Sequence, residues 1–169
     1  MWLSDPSRRR TLLGLAAAGS ALALAGCGFQ LRTLPQLPFR TLALTGFAPR
    51  SQLAGDLRRL LAQRVAVVER VADAQVVLQS LVDARERSIV AQTAAAQVRE
   101  LQLRLKFHFR VTSAAGRELV PRAELLLTRD MSYDESRALA KEAEEAELFR
   151  EMQIDVALQV MRRLATLKL

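Results

Sequence analysis

A chain of 169 residues, half of them hydrophobic and with a formal charge of +7, has room for one domain with a real core and too little for two. Its single cysteine excludes an intramolecular disulfide framework and a cysteine-rich zinc site, and its single histidine, His108, argues against a histidine-based metal cluster. The basic balance calls for an anionic partner, but 22 of the 25 positive residues are arginine. A compositional bias produces that pattern too, so net charge by itself assigns no partner.

Arg8, Arg9 and Arg10 form a positive segment, and the thirteen residues from Leu12 to Leu24 follow without a charge. That run is shorter than the roughly 20 residues a membrane-spanning helix needs, so it reads as the apolar part of a signal peptide. It ends in Leu24-Ala25-Gly26-Cys27, which resembles a bacterial lipobox. Small residues at 25 and 26 suit a signal peptidase, and the Cys27 thiol accepts a diacylglycerol before cleavage. The expected modification is therefore a covalent N-acyl diacylglycerol on Cys27, the chain's only cysteine. Gly28 stands where an Asp signals inner-membrane retention of lipoproteins, which by resemblance to that sorting rule directs the chain to the outer membrane. Arg9-Arg10-Thr11-Leu12-Leu13 fits either a general or a twin-arginine export signal, and both remain open. Residues 1–26 are then the signal peptide, 27–40 a lipidated tether broken by Pro35 and Pro38, and 41–169 one α+β domain. Processing leaves 143 residues with 22 positive and 17 negative side chains, a charge of +5.

Thr41 to Phe47 is short and β-compatible, and a first strand is expected there. Beyond Pro49, Ser51 is a good N-cap. Leu53, Leu57, Leu60 and Leu61 then make one apolar stripe, predicting a helix over 51–64. Residues 74–90 read as a strand with Val76, Leu78, Ser80, Val82 and Ala84 on one face and Gln79, Asp83, Arg85 and Arg87 on the other. The small, uncharged segment 91–96 reads as a turn. Leu101, Leu103, Leu105, Phe107, Phe109 and Val111 then alternate strictly with Gln102, Arg104, Lys106, His108 and Arg110, the pattern of a half-buried antiparallel strand. After a turn at 113–116, residues 118–131 return as a further strand, with Pro121 pointing to an edge or a bulge. From Asp134 to about Leu167 the period is helical, with Leu139, Ala143, Ala146, Phe149, Met152, Val156, Val160 and Leu164 in one stripe. Such a helix would be roughly 50 Å long. The expected fold is an α+β two-layer sandwich: two helices packed on one face of a roughly four-stranded, mostly antiparallel sheet, whose other face is polar, basic and uncovered.

The run Asp130-Met131-Ser132-Tyr133-Asp134, then Ala138-Leu139-Ala140-Lys141-Glu142 and Glu145, continues through Glu151-Met152, Asp155, Gln159 and Arg162-Arg163-Leu164. With Gly26-Cys27-Gly28-Phe29-Gln30-Leu31-Arg32, it closely resembles the LPS-assembly lipoprotein LptE family over nearly the whole mature chain. The resemblance implies a non-enzymatic protein, lipid-anchored on the periplasmic side of the outer membrane. It implies a role in plugging and helping to assemble the LptD β-barrel, the translocon that inserts lipopolysaccharide into the outer leaflet. It implies no cofactor beyond the lipid and no nucleic-acid partner. The family fold of two helices on a four-stranded sheet agrees with the periodicity reading. A reading of another class is a lipid-anchored periplasmic binding module of an ABC-type lipid transport system.

Lipopolysaccharide carries phosphates beside acyl chains, and clustered Arg or Lys suits phosphate. Arg104, Lys106 and Arg110 supply such a stripe, about 7 Å apart along one strand face. Arg85 and Arg87 would extend it if the preceding strand pairs as a hairpin. The same stripe also fits a solvated face balanced by acidic neighbours, or a contact with the barrel. Lys141 matches the family's lysine linked to lipopolysaccharide, and equally fits a helix-surface pair with Glu144 or Glu145. The family's basic residues between the second and third strands have no counterpart in the uncharged 91–96 turn, which Arg87 and Arg99 only flank. His108, between Lys106 and Arg110, reads as a surface histidine, and nothing assembles a nucleophile, base and oxyanion hole or a metal site.

Overall fold

The computed structural model describes residues 35–169. The signal segment 1–26, Cys27 and most of the expected tether lie outside the described residues. The tether's last residues belong to the domain, since Phe39 is buried in the core and Leu37 packs against it.

Strand β1 (Thr41–Thr45) is followed by helix α1 (Gln52–Leu61), strand β2 (Ala66–Val68), a 3-10 turn at Val71–Asp73, and the long strands β3 (Val76–Gln92), β4 (Val98–Ser113) and β5 (Glu118–Ser132). A second 3-10 turn, Glu135–Arg137, leads into helix α2 (Ala138–Ala165). The sheet order is β2-β1-β3-β4-β5; β1 pairs parallel with β2 and β3, and β3, β4 and β5 pair antiparallel. The fold is thus α+β with two helices on one sheet, and the sheet has five strands. The additional one, β2, is three residues long and carries no period for sequence reading to detect.

Ser51 caps α1 as expected, its Oγ accepting from the Ala54 amide at 3.1 Å. The same hydroxyl donates to Asp83 Oδ2 at 2.6 Å, tying the start of α1 to β3. The buried Leu53, Leu57 and Leu61 of α1 share one core with Phe149, Met152, Val156, Val160, Met161 and Leu164 of α2. Both helices press on Leu42, Val76, Leu78 and the whole apolar row of β4 from Leu101 to Val111. Within that row Phe107 stacks on Phe109 at 5.3 Å and on Phe47 at 5.9 Å. The opposite sheet face is not polar throughout, because Ala43, Ala74 and Val77 form a small second cluster with Val68 at the β1 end.

Two irregularities decide which side chains face where. The β3–β4 register pairs Ser80 with Phe109 and Val82 with His108, which leaves Leu81 as an extra residue, a β-bulge. Beside it lies Gly46, at φ +74°, where any side-chain carbon would collide with the Ser80 carbonyl oxygen. On the other side of β4, Phe109 pairs with Ala123 and Val111 with Val120, so Pro121 and Arg122 face one β4 residue. Pro121 therefore sits both on the edge strand and in a bulge, where its missing N–H costs no ladder bond.

Helix α2 is shorter than the sequence period implies, about 42 Å for its 28 residues. Asp134 does not start it but caps the preceding 3-10 turn, accepting from the Ser136 amide at 3.0 Å. The expected stripe holds from Phe149 onward. Leu139 is 84% exposed, and Ala143 and Ala146 are exposed too, so the first turns of α2 overhang the sheet instead of packing into the core.

Candidate functional site

The bulge at Leu81 reverses one expectation directly. Beyond it Asp83, Arg85, Arg87 and Ile89 pair with Phe107, Leu105, Leu103 and Leu101, so they share the helix-covered face of the sheet. Arg85 and Arg87 do not extend the stripe formed by Arg104, Lys106 and Arg110, which lies on the opposite face. Val82 and Ala84 take the outward places that the unbroken alternation had given to charged residues.

The outward stripe is a cross-strand polar network. Arg104 Nε donates to Gln102 Oε1 at 2.8 Å, and Gln102 Nε2 donates to Asp130 Oδ1 at 2.9 Å. Lys106 meets Glu86 at 2.9 Å, and Arg110 Nε donates to Gln79 Oε1 at 2.8 Å. His108 is tucked between strands, its Nε2 2.5 Å from Glu124 and its Nδ1 2.9 Å from an Arg122 nitrogen. Both ring nitrogens are therefore engaged by neighbouring β5 side chains. Arg104 and Arg110 rest against neutral amides, with Glu86 directly across the strand pair from Arg104. Glu86, Arg122 and Glu124 belong to this face and were not singled out from the sequence. Only the pairing register, which no single strand reveals, brings them together.

The helix-side residues gather under the overhang of α2. Arg85 lies over the Phe149 ring at 5.4 Å and donates to Gln52 Oε1. Arg87 stands 3.5 Å from Glu145. Lys141 donates to Ser132 Oγ at 3.0 Å and to Glu144 at 2.8 Å, with its side chain only 12% exposed. Lys141 and Glu145, one turn apart, thus reach to β5 and β3 and straddle β4. Beside these polar clips lie two clefts of about 520 and 530 Å³ that share Arg87. The first is lined by Arg85, Glu142, Glu145 and Phe149, the second by Ile89, Val98, Leu101 and Tyr133. Ile89 and Val90, next to the β3–β4 turn, are each more than half exposed. Glu86, Glu142 and Glu145 share the first cleft with Arg85 and Arg87, and Glu135 shares the second with Arg87, so a ligand anionic at one end and apolar at the other fits by taking over the arginines from these carboxylates. Phe149 was expected only as core, while Ile89 and Tyr133 carried no sequence signal as site residues.

The 3-10 turn ahead of Lys141 has its own electrostatics. The Ser136 hydroxyl and backbone N–H both donate to Asp134, holding its carboxyl below the usual carboxylate range, with Arg99 and Arg137 adding smaller attraction.

Comparison with known proteins places these features in context. Residues 39–164 match the protein-family model LptE, described as lipopolysaccharide-assembly. The chain is 31% identical over 160 residues to the LPS-assembly lipoprotein LptE of Photorhabdus laumondii, covering 92% of this chain and 84% of that protein. It is also similar to the solution structure of an uncharacterized lipoprotein B from Nitrosomonas europaea, with a TM-score of 0.68 at 31% identity over 80% of this chain and 88% of that one. The crystal structure of rare lipoprotein B from Shewanella oneidensis matches with a TM-score of 0.63 at 28% identity, covering 75% and 95% of the two chains.

Proposed function

This chain belongs to the lipopolysaccharide-assembly LptE family, and from that premise we propose that it is an outer-membrane lipoprotein, anchored through acylated Cys27 on the periplasmic side. In this role it plugs the LptD β-barrel, helps it assemble, and hands lipopolysaccharide to it without catalysing a reaction.

The observation that carries the lipid-handling part is the overhang of α2. Arg85 and Arg87 line clefts that also hold apolar Phe149, Ile89 and Leu101, and the polar clips of Arg87 and Lys141 fasten the helix there where buried apolar contacts fasten it further on. Lipopolysaccharide phosphates would replace the carboxylate partners of Arg87 and Lys141 while acyl chains use Phe149, Leu101 and Ile89. The outward stripe of Arg104, Lys106 and Arg110 lines neither of these clefts. Being a level hydrogen-bonded ladder, it suits the wall of an enclosing barrel better than an acyl chain.

Detergent extraction of a tagged chain should recover a large β-barrel at close to one-to-one stoichiometry. The Cys27→Ala variant should leave the membrane anchor yet still bind the barrel in solubilised extracts. Recovery of the chain alone, or with inner-membrane transporter subunits, overturns the plug reading.

A further inference from the structure

A cavity of about 720 Å³ opens between α1 and α2, and its Gln52 accepts from Arg85 of the first cleft. Three arginines from three segments line it: Arg50 from the loop, Arg59 from α1 and Arg150 from α2. Arg59 holds Asp56 of its own helix, and Arg150 holds Glu147 in an exposed pair that yields readily to a stronger anion. Arg50 has no side-chain partner among the described residues, and its backbone is held in the left-handed region at φ +68°.

The second observation is Gln153. It is 2% exposed and lines this cavity, yet its amide has no hydrogen-bond partner in the protein among the described residues. No fully occluded side-chain polar atom lacks a partner among those residues, so the Gln153 amide opens onto the cavity and is not sealed in the core. A buried amide left open in this way needs a ligand or water to complete it. The remaining wall mixes polar Ser51, Gln52, Asp56 and Gln63 with an apolar or bare strip of Leu60, Ile154 at 44% exposure, and Gly55, beside which nothing lies within 4 Å of where a side chain would begin.

We propose that this inter-helix cavity binds the phosphodiester headgroup of an anionic phospholipid. Arg50 and Arg150 take the phosphate oxygens, since guanidinium forks match that geometry. Gln153 hydrogen-bonds the headgroup, and the strip of Leu60, Gly55 and Ile154 receives the first part of the acyl chains. Asp56, already engaged by Arg59, stands on the same wall and disfavours ligands with several negative charges. The site has none of the residues lining the lipopolysaccharide clefts, which it adjoins at the Gln52–Arg85 contact, and it goes beyond the assembly role.

The test is amide and side-chain NMR mapping on the isotopically labelled chain, with Cys27→Ala to keep it unlipidated. The probes are soluble dihexanoyl phosphatidylglycerol, dihexanoyl phosphatidylcholine and inorganic phosphate. Phosphatidylglycerol should shift the Gln153 side-chain amide and the Gly55 and Arg50 backbone signals, with at least tenfold weaker binding in Arg50→Glu. Gly55→Met starts its side chain in open space on the cavity wall and improves helix propensity, so it should abolish binding while leaving the rest of the spectrum intact. Equal binding of phosphatidylcholine overturns the charge assignment, and equal binding of inorganic phosphate overturns the acyl strip. Shifts confined to Arg85, Arg87 and Lys141, insensitive to Gly55→Met, overturn the site itself. None of these outcomes depends on whether the chain plugs a barrel.

Discussion

At the scale of single residues, magnitude separates binding groups from stabilising ones. Lys106 and Glu86 are 2.9 Å apart, but their side chains are 35% and 45% exposed, so solvent screening limits the pair to about 0–1 kcal/mol. Charge changes on the outward stripe should therefore alter association and leave the fold standing. Asp134 is a different case, because its carboxylate is held by donors from Ser136 and its pKa is lowered. A lowered pKa means the unfolded chain binds the proton first as pH falls. The stabilisation is therefore complete above the ordinary carboxylate pKa and drains away as pH drops through the lowered folded value. In urea unfolding between pH 3 and pH 7, wild type should exceed Asp134→Asn by a constant margin above about pH 5. That margin should shrink below about pH 4; one that instead grows on acidification would show that the carboxylate is not held in its charged form.

At the scale of elements, α2 divides into two parts that one helical period had joined. Leu139→Gln should change stability by less than about 0.5 kcal/mol, because Leu139 faces solvent. Met152→Ala, at a fully buried position, should cost about 2–5 kcal/mol in the same urea titration. Similar losses at both sites would mean that the first turns of α2 pack as the rest does. Period alone placed Leu139 with Met152 because a helix repeats its apolar stripe whether or not a sheet lies beneath it. The alternation of β4 was legible for the converse reason: each residue from Leu101 to Val111 meets the same two environments. The reading of β3 failed at Leu81. There the adjacent apolar pair Leu81-Val82 breaks the alternation, and the bulge beside Gly46 moves Arg85 and Arg87 to the helix side. Such a bulge is fixed by how a loop from β1 approaches the Ser80 carbonyl, a tertiary contact that the β3 segment does not encode. Lys141 was visible as a residue, but its partners Ser132 and Glu144 and the clefts beside it depend on how α2 crosses the sheet.

At the scale of the whole molecule, the sheet separates two sets of cations that the linear sequence merges into one basic domain. Arg104, Lys106 and Arg110 lie on the open face in an amide-rich ladder, while Arg85 and Arg87 lie beneath α2 beside the clefts and Lys141 reaches from α2 to β5. If the barrel takes the first set and lipopolysaccharide the second, two double charge reversals should have opposite effects. Arg87→Glu with Lys141→Glu removes two charge-assisted contacts and places like charge beside Glu145 and Glu144. It should weaken lipopolysaccharide binding at least tenfold, on the order of 1.4 kcal/mol, with barrel recovery unchanged. Arg104→Glu with Lys106→Glu should lower barrel recovery and leave lipopolysaccharide affinity within twofold. Because both sets act through charge, each effect should weaken as salt is raised, since screening shortens to about 10 Å at 0.1 M. Loss of lipopolysaccharide binding in the second variant, with barrel recovery intact, would exchange the two assignments and make the open face the lipid contact. Loss of both functions in either variant would mean that the sheet does not separate them, and that lipid and barrel share one cationic surface.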